Sequence, residues 1–365
     1  MPWLSEVTLR GYKSIEAMEH FALRDLNVFI GANGVGKSNF LSFFSLLRAI
    51  VDGRLERFVK TQGGANVLLH HGVKRTTQLS FNLEFGEGTN SYTLNLASTP
   101  QDGLVPVGET VRYWDKEKYD RPHVRTLTPG PSEAAISDPY GTGAAWWIHR
   151  EVLMIQPYHF HDTGPDAALR RTSAIHDNAS LSSNGENLAS YLLALRTREP
   201  GAYASILHAV RRVAPFIRDF VLDPLELSPE QTRLRWRHEE TDALFDVAAL
   251  SDGTLRFIAL ATVLLQPKEA PPVVIIDEPE LGLHPVAIHL LGALMRSAST
   301  KRQLLVSTQS SQLLDEFEPE DVVVAELEAG ATRFRRLETS ALDAWLEDYS
   351  LGELWEKNEL GGRPA

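Results

Sequence analysis

The spacing of apolar residues predicts short buried strands that alternate with helices. Three runs are apolar at most positions: residues 26–30, 273–277 and 303–307. Such runs are typical of strands covered on both faces. Apolar residues at helical spacing lie between or beside them, at residues 254–266 and 285–297. The alternation of buried strands with helices indicates an α/β fold, with a mainly parallel sheet flanked by helices.

A second pattern predicts an antiparallel β lobe near the N-terminus. Alternate residues of 78–85 are apolar, and residues 91–96 are expected to pair with them through a turn at 86–90. A strand is also expected at 6–11. The helix predicted after residue 38 has an apolar face made of Phe40, Phe43, Phe44 and Leu47.

These changes of pattern divide the chain into three expected segments. They are a first lobe at 1–160, a helical lobe with strands at 161–245, and a second lobe at 246–365. Within the helical lobe we expect helices over 186–213 and strands at 220–227 and 233–237. Residues 100–143 are rich in Pro, Gly, Asp and Ser, which favours a long loop.

Composition narrows the class of protein. Hydrophobic residues make up 43% of the chain and charged residues 23%, as in soluble globular proteins. No apolar run approaches the roughly 18 residues that cross a bilayer, and no leader precedes the first strand, so we expect a cytoplasmic protein without membrane contact. The absence of cysteine excludes disulfides and thiolate metal sites. A net charge of −12 makes the whole chain a poor electrostatic match for nucleic acid.

The strongest chemical signal is a glycine-rich loop at residues 31–38. It matches G-x-x-x-x-G-K-[ST] and lies between a predicted strand and a predicted helix, as a phosphate-binding loop must. We expect Lys37 to bridge the β- and γ-phosphates of ATP and Ser38 to ligate Mg²⁺. The other residues expected to contact the nucleotide here are Asn33, Gly34, Gly36 and Asn39.

A second signal is the apolar run Val273–Ile276, which ends in Asp277 and Glu278. Acidic residues at the end of a strand are common and by themselves do not indicate catalysis. Their combination with the phosphate loop favours a catalytic role. Asp277 is expected to hold Mg²⁺ and Glu278 to polarise the attacking water.

A third signal, Ser251-Asp252-Gly253-Thr254, opens an apolar helix 27 positions before Glu278. Ser251 suits a helix N-cap, which is the structural alternative. The sequence also resembles the signature of ABC ATPases, with Asp for the first Gly and Thr for the Gln. That resemblance implies that Ser251, Asp252 and Gly253 contact ATP held by a second subunit, and hence an ATP-dependent homodimer.

Together these motifs, with Leu9–Ser14 and Asp277–Pro285, resemble the RecF/SMC-like branch of ABC ATPases. They resemble more closely the bacterial predicted ATPases that share a core with OLD nucleases. Segments 158–162, 187–188, 349–355 and 361–364 extend the resemblance. It implies an ATPase whose Lys13 lies near the nucleotide and whose loop 281–285 crosses the dimer interface. It also implies a role in DNA repair or anti-phage defence beside a separate nuclease or other effector.

One departure concerns turnover. The branch usually carries a histidine where this chain has Gln309, and a glutamine donates a hydrogen bond but transfers no proton. Hydrolysis is therefore expected to be slow, or ATP to act mainly as a dimerisation switch.

Gln156 is a candidate Mg²⁺ residue, although an exposed polar position is the alternative. His159 and His161 are two apart, but no cluster elsewhere completes a metal site.

Two basic clusters are candidates for DNA contact. They are Arg233, Arg235 and Arg237, and then Arg333, Arg335 and Arg336. Either cluster has the charge to follow a phosphate backbone, but a solvated strand face is the favoured interpretation.

The 56 residues after Gln309 hold no acidic cluster suited to a nuclease. Two alternative functions remain. One is the nucleotide-binding subunit of a transporter, but the 213 positions from Ser38 to Ser251 are far more than such subunits usually have between phosphate loop and signature. The other is an ATP-binding scaffold with little turnover.

Overall fold

The structure is a computed structural model, and it describes residues 3–138, 143–267 and 271–362. Its strands are β1 (Leu4–Tyr12), β2 (Ile15–Ala22), β3 (Leu26–Ile30), β4 (Gln78–Phe85), β5 (Asn90–Ser98), β6 (Leu104–Tyr113), β7 (His123–Leu127), β8 (Ile155–Tyr158), β9 (Ser173–Ala174), β10 (Ile217–Val221), β11 (Gln231–Thr232), β12 (Arg235–His238), β13 (Leu244–Asp246), β14 (Val273–Asp277), β15 (Gln303–Ser307), β16 (Val322–Glu328) and β17 (Ala331–Arg336). Its α-helices are α1 (Lys37–Val51), α2 (Leu55–Thr61), α3 (Ala65–Leu68), α4 (Ala144–Leu153), α5 (Leu188–Arg198), α6 (Pro200–Val213), α7 (Asp252–Leu265), α8 (Pro285–Ser299), α9 (Ser311–Leu314), α10 (Thr339–Leu346) and α11 (Leu351–Glu356).

A six-stranded sheet with mainly parallel pairing lies at the centre, in the order β17-β16-β3-β15-β14-β8. Only the pairing of β17 with β16 is antiparallel within this described sheet. Its strands are apolar on both sides because alternate residues enter two different cores: Phe29 and Ile275 on one side, Val28 and Ile276 on the other. The predicted α/β class and the three strands at 26–30, 273–277 and 303–307 are confirmed.

A second six-stranded sheet, in the order β2-β1-β4-β5-β6-β7, is antiparallel throughout. Helix α1 packs in the core that joins the two sheets. Its Phe43 ring lies 5.2 Å from Phe81 of β4, and its Phe40 ring lies 5.1 Å from Phe29 of β3. The predicted hairpin and the predicted apolar face of α1 are both present, so the helix that follows the phosphate loop is fixed by aromatic packing on two sides.

Two expectations differ from the structure. Residues 100–143 were expected to form a loop, yet they contain β6 and β7, while residues 139–142 lie outside the described residues. Pro106 and Gly108 enter β6 at a β-bulge, where the register shifts between Asn95 and Leu96, and so do not interrupt the strand. The strand expected at 220–227 is β10, which ends at Val221; Leu227 is 96% exposed.

The three expected segments do not form three separate sheets. Strands β3 and β8 from the first segment and β14–β17 from the last share the central sheet. The middle segment contributes α5 and α6, which pack on the opposite side from α1 and contact α7 and α8. None of the described helices is both long and apolar enough to cross a membrane.

The two sheets are also joined by one buried amide, that of Gln303 on β15. Its Nε2 donates to the carbonyls of Leu4 (2.8 Å) and Arg24 (3.0 Å), and its Oε1 accepts from the Leu4 N–H (2.9 Å). Gln303 is 2% exposed, so water does not replace these partners when the amide is removed.

We expect Gln303→Ala to lower the free energy of unfolding by about 2–4 kcal/mol, because three backbone groups lose their buried partner. Urea denaturation followed by circular dichroism measures this. Gln101→Ala, at an exposed turn, is the matched control and is expected to change it by less than about 0.5 kcal/mol. Equal effects of the two substitutions would contradict the assigned role.

Candidate nucleotide-binding site

The glycine-rich loop lies where predicted, between β3 and α1. Gly34 has a φ of +81° and open space around the position of a Cβ, whereas Gly36 has a φ of +109° and no such space. A Cβ at Gly36 would overlap the hydroxyls of Thr332 and Ser14. Gly34 is therefore required by backbone conformation, and Gly36 by both conformation and close packing.

Lys37 is directed into this loop. Its Nζ donates to the carbonyls of Gly31 (2.6 Å) and Ala32 (3.0 Å), and the residue is only 5% exposed. Burial lowers the pKa of Lys37, and the carboxylates of Glu278, Asp277 and Glu280 oppose that shift. The lysine of the loop and the acids of β14 therefore share one electrostatic environment.

The back of the loop is held by residues from both ends of the chain. The Thr332 hydroxyl lies 2.6 Å from the carbonyl of Val35 and 2.7 Å from the hydroxyl of Ser14. Asn39 Nδ2 donates to the same Ser14 hydroxyl at 2.8 Å. The candidate residues Asn33, Gly34 and Ser38 are exposed on the other side. The sequence offered no signal for Thr332, because its part in the site depends on the β16–β17 hairpin.

Asp277 and Glu278 lie at the carboxyl edge of the central sheet, next to β15. Asp277 pairs in register with Ser307, whose hydroxyl donates to its carboxylate. The N–H of Glu278 donates to the Ser307 carbonyl (2.9 Å), and Glu278 has a φ of +43°. A left-handed conformation at a glutamate is unfavourable and persists only where the surroundings enforce it. Here it turns the Glu278 side chain towards Gln309.

Gln309 and Glu280 complete this group of side chains. Gln309 Nε2 donates to the Glu278 carboxylate. Glu280 is 8% exposed, and its Oε1 accepts from the Thr308 hydroxyl (2.6 Å) and the Gln309 N–H (3.0 Å). Burial raises the pKa of Glu280, and its Oε2 has no hydrogen-bond partner among the described residues. Sequence reasoning missed Glu280. The available signal was a further acid directly after a proline that follows the candidate acids Asp277 and Glu278.

The Ser251 segment forms the N-terminus of α7 as expected. The Ser251 hydroxyl caps the helix by accepting from the Thr254 N–H (3.2 Å), and Ser251 and Asp252 are exposed. A Cβ at Gly253 would overlap the carbonyl of Gly282, so loop 281–285 packs directly on the start of α7. Pro285 is the first residue of α8, and His284 caps that helix.

Two buried arginines, neither found by sequence reasoning, fix this helix start. Arg170 donates to the carbonyls of Val247 (2.7 Å) and Leu250 (3.2 Å) and to the Asp252 carboxylate (2.8 Å). Arg256 of α7 donates to the carbonyls of Phe160 (2.9 Å) and His161 (2.8 Å). Asp252, which stands where the ABC signature has glycine, is therefore the partner of an arginine in its own chain.

The candidate Gln156 lies farther from the acids than expected. It is inside β8 and pairs with Val274, three residues before Asp277 on β14, a separation of about 10 Å along the strands. This placement differs from the expected Mg²⁺ contact. His159, just beyond the end of β8, is nearer: desolvation and His161 lower its pKa, and Asp277 opposes the shift. No group of three metal-binding side chains occurs among the described residues.

Lys13 lies at the β1–β2 turn, beside α1. Its Nζ donates to the Ser42 hydroxyl (2.9 Å), and burial lowers the pKa of Lys13. A cleft of about 480 Å³ opens beside it. The residues lining the cleft are Lys13, Asn39, Asn66, Val67, Leu69, His71 and Gly72. Lys13 and Asn39 therefore line a cleft beside the start of α1.

The two basic clusters are used within the chain. In the first, Arg233 pairs with Asp246 (3.1 Å) and Arg237 with Asp242 (3.5 Å). Arg235, the third arginine of this cluster, donates to the Asp223 carbonyl. In the second cluster, Arg333 contacts Glu16 and the Ala17 carbonyl, and Arg335 donates to the Leu360 carbonyl. Arg336 donates to Asn27 and to the carbonyls of Ala22 and Glu320. These contacts favour the structural interpretation of both clusters over a nucleic-acid face.

Solved structures with a similar fold are heads of Smc proteins. The first is an Smc head bound to the C-winged helix domain of ScpA, with a TM-score of 0.59 and 16% identity over 94% of this chain and 100% of that one. The others are Smc heads from Pyrococcus furiosus and Pyrococcus yayanosii, both with a TM-score of 0.57 over 95% of this chain and 99% of theirs, at 14% and 12% identity. At these identities the similarity establishes the fold alone.

The sequence also matches one family over residues 26–315, a range that includes the phosphate loop, Ser251, Asp277 and Gln309. Among curated proteins none matches the chain. Because the family match covers residues 26–315, the chain belongs to the family described as "AAA domain, putative AbiEii toxin, Type IV TA system", and it has the fold of Smc heads.

Proposed function

We propose that the protein is an ATP-driven dimerisation switch. Two copies hold two Mg-ATP molecules, each between the phosphate loop of one copy and the Ser251 segment of the other. The observation that carries this proposal is the position of Ser251 and Asp252, which are exposed at the start of α7 and packed against loop 281–285. ATP supplies the contacts that favour the closed dimer, and its hydrolysis reopens it.

Within each copy, we assign each residue a role from its position in the site. The N–H groups of the phosphate loop and of the start of α1 face the phosphates, and Lys37 balances their charge. Ser38 and Asp277 would hold Mg²⁺, which would supply charge neutralisation when bound. Glu278 polarises the attacking water. The exposed N-terminus of α7, with Ser251 and Gly253, presents a helix dipole to the partner's phosphates.

Hydrolysis in this site depends on how Glu278 is held. Glu280 accepts from the backbone of Gln309, and the amide of Gln309 contacts Glu278, so the three residues form one chain of hydrogen bonds. A glutamine orients a carboxylate and a water but does not shuttle protons. We therefore propose turnover that is slow, in a protein whose ATP-bound state persists.

A second candidate, an ATP-binding scaffold with little turnover, is favoured by the same contact. The Gln309 amide already donates to one oxygen of the Glu278 carboxylate, so fewer acceptor sites remain on that oxygen for an attacking water. Both candidates share ATP binding and dimerisation, and they differ only in whether phosphate is released.

The cellular role proposed is DNA repair or anti-phage defence, with the closed dimer recognised by a separately encoded nuclease or other effector. The paired arginines and the net charge of −12 make direct binding of DNA by this chain weak. One of the Smc heads of similar fold was solved bound to the C-winged helix domain of ScpA, which supports a head that acts through a protein partner.

Glu278→Gln is expected to trap the ATP-bound dimer, because binding is kept while the group that polarises water is lost. Light scattering after gel filtration at about 10 μM protein, with and without Mg-ATP, measures the mass. Adding Lys37→Ala or Ser251→Arg to the trapped variant should restore the monomer, the first by loss of ATP and the second by obstruction of the interface. Ser205→Arg, at an exposed position on α6, is the matched control and should leave the dimer intact. A Glu278→Gln protein that binds ATP yet stays monomeric would refute the composite site.

Glu280→Ala is expected to lower kcat about tenfold with little change in KM, because Gln309 loses the acceptor that fixes its backbone. Phosphate release measures both constants. The decisive comparison is a double-variant cycle: if Glu280 acts through Gln309, Glu280→Ala adds nothing to Gln309→Ala. Multiplied effects in the double variant would mean that Glu280 acts independently of Gln309.

Duplex DNA is expected to change the rate of phosphate release by less than about twofold at low salt, because the arginines of the basic clusters already contact acidic side chains or carbonyls of their own chain. The assay compares turnover with and without DNA at about 50 mM salt. A severalfold stimulation that disappears in Arg233→Glu or Arg333→Glu would instead assign DNA binding to that cluster.

A further inference from the structure

The C-terminal residues of the described chain return to the phosphate loop. The family match ends at residue 315, well before these residues. Helix α11 (Leu351–Glu356) is followed by a turn that leads to Gly361 and Gly362. Residues 363–365 lie outside the described residues; two of them, 363 and 364, belong to the segment 361–364 that extends the family resemblance.

Gly362 contacts the loop directly. The N–H of Ala32, the second residue of the loop, donates to the Gly362 carbonyl at 2.6 Å. A Cβ at Gly362 would lie 3.3 Å from Cα of Gly31 and 2.9 Å from Cγ1 of Val324. The contact therefore combines a short hydrogen bond with close packing that leaves no room for a side chain.

The central sheet holds this segment in place. Gly361 and Gly362 have φ values of +79° and +82°, so both occupy the left-handed region. The carboxylate of Glu326 on β16 accepts from the Gly362 N–H (2.9 Å), and Arg335 on β17 donates to the Leu360 carbonyl (2.9 Å). Two charged side chains of the β16–β17 hairpin thus fix a pair of glycines against the phosphate loop.

The other end of the segment contacts the Gln309 side of the site. The Gly352 N–H of α11 donates to Asp315 (2.6 Å), and a Cβ at Gly352 would lie 2.5 Å from the Ser311 carbonyl. Ser311 begins α9, two residues after Gln309. Residues 351–362 therefore reach from the helix that follows Gln309 to the first residues of the phosphate loop.

We propose that residues 351–362 form a positioning element of the nucleotide site, with Gly362 setting the conformation of Gly31 and Ala32. The inference rests on the proposed ATP site. With the Ala32 N–H engaged by Gly362, the start of the loop is ordered before ATP arrives. Without that contact ATP has to order the loop itself, which costs affinity.

The test compares two glycines of similar backbone conformation. Gly362→Ala places a Cβ against Gly31, whereas Gly86→Ala introduces the same left-handed strain in an exposed hairpin turn with no neighbour closer than 3.8 Å. We expect Gly362→Ala to raise the Kd for Mg-ATP about tenfold and Gly86→Ala to leave it unchanged. Isothermal titration measures the Kd, and the Tm without nucleotide measures general damage. An equal Kd for Gly362→Ala and the unaltered chain overturns the proposal.

A second pair of variants keeps the test decisive if Gly362→Ala is poorly folded. Glu326→Ala removes the acceptor of the Gly362 N–H, while Glu326→Gln retains an acceptor oxygen at the same place. We expect weaker ATP binding for Glu326→Ala and rescue by Glu326→Gln; identical affinities for the two overturn the inference. Should the unaltered chain itself fail to bind Mg-ATP, the proposed function is wrong, and that outcome is distinct because it precedes any substitution.

Discussion

The parallel pairing of β3, β15 and β14 is the constraint on which the rest of the site depends. Parallel strands end at the same edge of a sheet, so the segments that follow them are brought together. The pairing of Ser307 with both Asp277 and Phe29 sets the register of all three strands. A shift by one residue would reverse the inward and outward faces and would separate the Ser307 hydroxyl from Asp277.

Charge at this edge follows from that geometry. Three carboxylates, those of Asp277, Glu278 and Glu280, act on the buried ammonium of Lys37. Burial disfavours the charges of Lys37 and Glu280, and for Lys37 the attraction of the carboxylates opposes that effect. A bound Mg²⁺ would add positive charge beside the acids, and ATP would add negative charge beside Lys37. In the proposed complex, metal and nucleotide therefore bind more favourably together than either does alone.

The same edge is connected to the surface that a second copy would meet. Strand β8 pairs with β14, and the carbonyls just after it, at Phe160 and His161, are held by Arg256 of α7. The start of α7 in turn packs on Gly282, four residues after Glu278 on the chain. In the proposed switch, a displacement at the acids is thus passed to the Ser251 segment through contiguous packing and hydrogen bonds rather than through a flexible linker.

By itself the sequence determined the fold class, the buried strands, the phosphate loop, the acids after β14 and the capped start of α7. These features are local: a glycine pattern, an apolar period or a capping serine acts within a few residues, and its physical cause can be read from the chain. The role of Asp252 was not local, because its partner Arg170 is distant in the sequence. Likewise, the position of Gln156 on β8, level with Val274, depends on the register between β8 and β14, which no local pattern gives.

Only the tertiary structure decided which distant residues build the site. Thr332 and Gly362 support the phosphate loop from the other end of the chain, and Glu280 becomes a support for Gln309 once β15 lies beside β14. The β-bulge that admits Pro106 and Gly108 also required a neighbouring strand to be recognised. In each case the energy comes from burial and hydrogen bonding between elements that are far apart in the sequence, and no local pattern contains that information.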